Sequence, residues 1–432
     1  MFIYTVKAGD TLAAISRTYD VSAEEVVRIN DLLTPDRLAV GQALILPTET
    51  HSYVVQTGET LGQIANRLGE SLGQLYADNP ALRTRTLMAG ETIFVRSAPA
   101  KRGNLEVNGY AYSFIDPVLL EKALPYLTYL TIFSYGAKAD GSLVPADDQK
   151  LIDAARSMGV APVMLLSTIG EDGKFNSEIA RIVLEDQTVQ NTLIANLKNV
   201  VEEKQYYGID VDFEYIPTHL SAEYAAFIDN LRTQIAPRKV FVALAPKNSA
   251  EQRGLLYEAH DYAALGAAAD RALIMTYEWG YAFGPPMAVA PKDQVRRVLQ
   301  YATSAIPPEK ILMGMPNYAY DWPLPFQQGI TVAASIGNPN AVALAANENV
   351  QILFDARAAS PYFTYFKSGR AHEVWFEDAR SVRAKLELVD EFKLRGVGIW
   401  NIMRPFGQLW YLLDYYYNIV KIEAERLNGE LG

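Results

Sequence analysis

From Asn104 onward the chain alternates eight β-prone runs, NGYAYSF, YLTIFSY, APVMLLS, YGIDVDFEYI, VFVALAP, ALIMTYEW, KILMGMPNYAYDW and GVGIWNI, with stretches of helical length such as Asp186 to Tyr206 and Ala222 to Ile235. Parallel strands cannot be joined by a tight turn, so each needs a crossover, and eight strand–helix units close a sheet into a barrel. The expected class is α/β, a (β/α)8 TIM barrel over 104–432. Its seventh connection is too long for a plain crossover. Between Trp322 and Ser381 it holds the further β-prone pieces QILFD, PYFTYF and HEVWFED, with SGR as a hairpin turn, which predicts a small inserted α+β subdomain at about 322–381, between strands seven and eight, walling one side of the barrel mouth.

The fourth run departs from the pattern of its neighbours. A parallel barrel strand is normally apolar on both faces, yet YYGIDVDFEYIP places Asp210, Asp212 and Glu214 at every second position. Alternate residues share a face, so the three acids point one way while Ile209, Val211 and Phe213 point the other. With the apolar set under the outer helices, the acids project into the barrel, where unpaired carboxylates are costly and repel one another. At least one is expected to hold its proton well above the usual carboxylate range. A solvated edge strand would relieve the acids, but the flanking helical stretches and the following Tyr215-Ile216-Pro217 make this a central strand ending at the C-terminal face, where barrel enzymes carry their sites.

This run resembles the strand-four pattern D-x-x-D-x-D-x-E of glycoside hydrolase family 18. Glu214 falls on its catalytic acid, Asp212 on the neighbouring carboxylate and Asp210 on the deeper one, while the first Asp of the pattern falls on Tyr207 and does not match. Met275 and Tyr277 match M-x-Y-D with Glu278 in place of Asp, Gly314, Pro316 and Tyr318 match G-x-P-x-Y, and Trp400 matches the strand-eight tryptophan; LLSTIG stands where the family often has S-x-G-G. The resemblance implies a retaining, substrate-assisted glycosidase: Glu214 as acid and then base, Asp212 and Tyr277 holding the acetamido group, Trp400 as the sugar's floor, and Met275, Glu278 and Tyr318 beside it. Tyr112, Trp279, Asp321 and Trp322 are further candidates for the cleft wall, with core or rim packing as the alternative.

Ahead of the barrel, YTVKAGDTLAAI from Tyr4 and YVVQTGETLGQI from Tyr53 repeat, and Gly9/Gly58, Asn30/Asn79 and Gly41/Gly90 keep one offset. Each copy reads as a βααβ unit, with Thr11 or Thr60 where a helix N-terminus wants an acceptor. Both match the LysM pattern Y-x-V-x-x-G-[DE]-T-L-x-x-I, which implies binding of N-acetylglucosamine-containing glycans. The expected divisions are LysM units at 1–48 and 50–97, a linker at 98–103 inside SAPAKRG, and the barrel from 104.

Composition narrows the partner. A formal net charge of −11 with no long Lys/Arg run argues against nucleic acid or an anionic membrane. The chain has no cysteine and only four histidines, His51, His219, His260 and His372, none within four residues of another; no metal and no cofactor are expected. MFIYTVKAGD has neither a basic n-region nor an apolar run of signal-peptide length, so no cleaved signal is expected, and no stretch has the length of a membrane span. Over its whole length the chain resembles the spore cortex-lytic N-acetylglucosaminidases of spore-forming bacilli. That implies hydrolysis of cortex peptidoglycan or its fragments during germination, by a protein deposited at the coat–cortex boundary without a cleaved signal; a monomer is expected. A chitinase or other endo-β-N-acetylglucosaminidase is the nearest alternative, and a non-catalytic glycan-binding coat protein the second.

Overall fold

The computed structural model describes residues 1–47, 50–68, 70–83, 85–96, 101–170 and 173–422. Eight parallel strands, Asn104–Tyr112, Tyr129–Ala137, Ala161–Ser167, Gly208–Asp212, Lys239–Leu244, Arg271–Ile274, Ile311–Pro316 and Gly396–Trp400, form a closed ring. Each pairs with the next, and the eighth returns to the first through Gly396↔Glu106 and Val397↔Val107. The chain therefore adopts the α/β TIM barrel.

Strand four shows how the sequence produces this layer. Ile209, Val211 and Phe213 are fully buried on its outer side, where helix Ser221–Ile235 sets Tyr224 and Phe227 against the Phe213 ring at centroid distances of 5.9 and 5.8 Å. Burial of each such side chain contributes roughly 1.5–3 kcal/mol. The preceding helix, Gln187–Glu203, starts where the Asp186 carboxylate accepts from the N–H groups of Thr188 and Val189, and it buries Leu193, Leu197 and Val201 at helical spacing. Gly208 lets strand five close in, because a Cβ there would lie 2.4 Å from the Lys239 carbonyl oxygen. Inside the ring, Tyr110, Tyr129, Leu165, Phe241, Leu273 and Leu312 fill the middle, and Glu106 pairs with Arg271 at 2.8 Å and Arg395 at 2.6 Å at the lower end. The open end is therefore the C-terminal one.

The strand expected over the whole fourth run stops at Asp212. Its last pairings are Val211↔Val242 and Asp212↔Ser167, and Tyr215 then takes a left-handed φ of 56°. Glu214 thus stands on chain that has left the sheet.

Between strands seven and eight lies a five-stranded antiparallel sheet, in the order Ala334–Ile336, Ala319–Pro323, Arg370–Trp375, Ser360–Lys367 and Leu353–Asp355, with helix Asn338–Asn347. Ser368 and Gly369, with φ of 51° and 78°, form its two-residue hairpin turn. Trp322 is fully buried and donates its indole N–H to the Gly284 carbonyl at 2.8 Å. It ties this sheet to the loop after strand six and lines no cleft, since a large ring with its one donor satisfied belongs in the core.

Each N-terminal repeat pairs two short strands, Phe2–Thr5 with Ala43–Leu46 and Thr50–Val54 with Thr92–Arg96. The repeated asparagine explains itself. Asn30 donates to the carbonyls of Val26 and Ile45 and accepts from Ile45 N–H, and Asn79 does the same with Leu75 and Phe94. The first repeat is also bonded to the barrel: Gln408 donates to Asn30 Oδ1 and to the Ala43 carbonyl, Gly407 N–H to Asp31, and Ile352 N–H to the Val40 carbonyl at 2.8 Å. Gly41 sits so close that a Cβ would overlap the Ile352 carbonyl, whereas its counterpart Gly90 meets nothing within 4 Å. The linker SAPAKRG lies partly outside the described residues; its end is held by Arg102, stacked 3.6 Å from the Tyr416 ring centroid.

Candidate active site

Asp210 is fully buried in the middle of strand four, and its Oδ2 accepts a 2.6 Å hydrogen bond from the Tyr110 hydroxyl of strand one. Its Oδ1 finds no donor among the described residues. Burial pushes this carboxyl up to about 6 against the pull of the Tyr110 bond. Tyr207, where the resemblance would have an aspartate, packs its ring against Tyr129 at 5.6 Å. The deep polar position is filled by aromatics, and Tyr110 supplies the hydrogen bond.

Asp212 follows, 7% exposed, again with an Oδ1 that no described donor reaches. Burial, then the charges of Glu214 and Asp210, hold its pKa well above the usual range. Glu214, two residues on, is raised to about 7 by burial and by the charge of Glu278. Glu278, at a left-handed φ of 66°, accepts from Tyr318 and, at 3.2 Å, from Tyr320, yet burial still raises it. Four acids in one low-dielectric space cannot all ionise near neutrality, so protons are retained there.

Facing them, Tyr277 is 8% exposed. Burial and the charges of Asp212 and Glu214 hold its hydroxyl protonated far into alkaline pH, so it keeps a proton to donate. The Trp400 ring lies at the end of strand eight, edge-on to Phe133 at 5.3 Å, Tyr110 at 5.8 Å and Tyr112 at 6.2 Å. Tyr112 stacks in turn on Phe114, which is 76% exposed. On the other side of Glu214 opens a cavity of about 550 Å³ lined by Met275, Tyr277, Glu278, Trp279, Tyr281 and Arg297, among others. An acid protonated near pH 7, a buried carboxylate beside it, a fixed hydroxyl donor and an aromatic floor can together bind a sugar ring and protonate a leaving oxygen.

Residues 104–404, well over half of the chain, match glycosyl hydrolases family 18, and residues 4–47 and 53–96 each match the LysM domain. The chain belongs to glycosyl hydrolases family 18. It is 38% identical to the cortical fragment-lytic enzyme of Bacillus subtilis, over 98% of this chain and 99% of that protein. The solved structure of the Bacillus cereus spore cortex-lytic enzyme SleL matches with 37% identity, a TM-score of 0.83 and coverage of 98% of this chain and 99% of that one. A chitinase from Chromobacterium violaceum matches 72% of this chain and 98% of its own at 26% identity, with a TM-score of 0.67. The chain is a glycoside hydrolase, and its barrel and LysM units make glycan its partner. No helix among the described residues is long and apolar enough to cross a membrane.

Of the residues singled out for this family 18 chain from sequence, Asp210, Asp212, Glu214, Tyr277, Glu278, Tyr318, Met275, Trp279, Trp400 and Tyr112 are gathered around the open end. Asp321 is not. It accepts from Tyr365 at 2.6 Å and meets His372 Nδ1 at 2.9 Å within the inserted sheet, where the cross-strand pairing Asp321↔Val374 turns it toward those partners. Two hydrogen-bond partners of the acids escaped the sequence. Tyr110 shares the inward face of its strand with Asn108 and Tyr112, a period-two signal that was available. Tyr320 carries no local signal, because its partner Glu278 lies 42 residues away.

Proposed function

We propose that the chain is an N-acetylglucosaminidase that cleaves the β-1,4 bond after N-acetylglucosamine in spore cortex peptidoglycan or its fragments during germination. The observation that carries this reading is the set of Glu214, Asp212 and Tyr277 at the barrel end that also carries Trp400: one acid protonated near neutrality, one carboxylate oxygen without a donor among the described residues and one hydroxyl held protonated well past neutrality. That set suits a sugar that supplies its own nucleophile. The 2-acetamido oxygen attacks C1 and the C1–O bond breaks as Glu214 delivers its proton to the leaving oxygen. Asp212 accepts the acetamido N–H, and Tyr277 donates to the acetamido oxygen. Water, deprotonated by Glu214, then opens the oxazolinium ion from the face the leaving group vacated, so configuration is retained.

A muramic lactam has its nitrogen closed into a ring and no acetyl group, so it cannot assist its own cleavage, and N-acetylglucosamine occupies the site above Trp400. Full-length similarity to cortical fragment-lytic enzymes supports cortex over chitin and residence in the spore. The test is digestion of muramidase-treated cortex by the protein and by Glu214→Gln, with reduction and mass spectrometry of the products. New fragments ending in N-acetylglucosaminitol, absent with the variant, are expected. Soluble oligomers from chitin with none from cortex would replace the substrate.

A further inference from the structure

We propose that His260 is a positioning residue for Glu214, an inference that rests on Glu214 being the acid. The ladder between strands four and five ends at Val211↔Val242, so the chain carrying Glu214 has no further rung with strand five. His260, 1% exposed and located just before helix Tyr262–Ala268, takes that place. Its Nδ1 lies 2.9 Å from the Ala245 N–H, beyond the end of strand five, and its Nε2 lies 3.1 Å from the Phe213 carbonyl oxygen, the peptide that leads into Glu214.

The two neighbours fix the tautomer. A backbone N–H can only donate, so Nδ1 is bare and accepts; a carbonyl can only accept, so Nε2 carries the proton and donates. The imidazole thus replaces a rung of sheet, clamping the end of strand four to the end of strand five. The strand-five end is itself held, since Tyr262 donates to the Ala245 carbonyl at 2.6 Å and accepts from Lys247 N–H at 2.9 Å. Lys247 Nζ donates to the His260 carbonyl at 3.0 Å, which fixes the backbone from which the ring hangs. Of the groups around the ring, Lys247 is cationic and Tyr224 lies with its ring centroid 6.0 Å away; burial, and the Lys247 charge with it, hold the imidazole neutral down to about pH 4. Without the clamp, the Phe213–Glu214 peptide is free to turn, and the acid loses its aim at the leaving oxygen.

Two substitutions separate positioning from general stability. The amide nitrogen of His260→Gln reaches the place of Nε2 and restores the donor to Phe213, whereas the amide oxygen of His260→Asn reaches only the place of Nδ1 and restores the acceptor for Ala245. We expect His260→Asn to lose on the order of 100-fold in kcat with KM changed less than about twofold, and His260→Gln to recover at least about tenfold of that loss. Equal kcat in the two variants, losses that follow their unfolding temperatures, or a change confined to KM would overturn the proposal. A measurement on the unsubstituted protein stands whether or not the variants fold: histidine ¹⁵N resonances should show His260 as the neutral Nε2–H tautomer at mildly acidic pH, and an Nδ1–H tautomer or an imidazolium there would overturn it equally. Glu214→Gln run alongside keeps the two readings apart. Activity in that variant removes the acid, while an inactive Glu214→Gln with a normal His260→Asn removes only the clamp.

Discussion

Replacing Glu214 by Gln is expected to abolish hydrolysis and, above neutral pH, to stabilise the fold. The folded protein lifts Glu214 from an ordinary 4.5 to about 7, chiefly by burial, so the native state holds a proton that the unfolded chain has released over that interval. Stability therefore falls as pH rises from the lower value to the upper one, and the loss is complete above it. At about 1.4 kcal/mol per pH unit, the interval is worth about 3 kcal/mol. Glutamine carries no charge to bury and avoids the loss. For a barrel of roughly 300 residues this corresponds to a difference of about 5 °C in unfolding temperature. The assay is thermal unfolding of both proteins from about pH 4 to pH 8.5: the curves should meet at the acid end and separate with the variant higher at the alkaline end. Parallel curves, or a wild type more stable than the variant at alkaline pH, would refute the buried-acid argument.

The charge of Glu278 is the second contribution to the raised Glu214, so Glu278→Gln should move the alkaline limb of the kcat/KM profile to lower pH; a limb that stays or moves up contradicts the coupling. Tyr277→Phe removes the hydroxyl proposed to donate to the acetamido oxygen and should lower kcat by roughly 10²- to 10³-fold while Kd for a product sugar changes little, measured by calorimetry. Tyr110→Phe deprives the buried Asp210 of the hydrogen bond to its Oδ2 and should cost about 1–3 kcal/mol at neutral pH, read by urea unfolding. Trp400→Ala should raise KM on soluble fragments more than it affects their capture by the LysM units, as pull-down would show.

The barrel and the inward row of acids on its fourth run were legible because they follow local rules. Period-two alternation in YGIDVDFEYI separated the inward acids from Ile209, Val211 and Phe213 before any tertiary contact was known, and strand spacing gave the ring. Where the sequence misled, the cause was non-local. Asp321 and Trp322 sit at the end of a barrel strand in sequence but belong to the inserted sheet, whose pairing turns Asp321 toward Tyr365 and His372 and buries Trp322 under the strand-six loop. The early end of strand four at Asp212 follows from where its neighbours stop pairing, which a single run cannot report. His260 drew attention only as a histidine without metal-ligand spacing; its geometry arises from the meeting of two strand ends.

The bonds between the first repeat and helix Gly407–Tyr416 also make the molecule, in connectivity, a ring. Asn30 and Gln408 stand 378 positions apart yet share a hydrogen bond, and the N-terminal amine lies 3.4 Å from the Tyr415 hydroxyl. The second repeat is then an excursion out of a body that begins at residue 1 and resumes at the barrel, although the order of the chain presents it as the middle of three beads. A contact of that span can form only once the last barrel helix exists, so seating of the first module belongs to the end of folding, when closure entropy has already been spent on the barrel. It should hold afterwards without help from the covalent link: a chain severed within the second repeat would keep its first module.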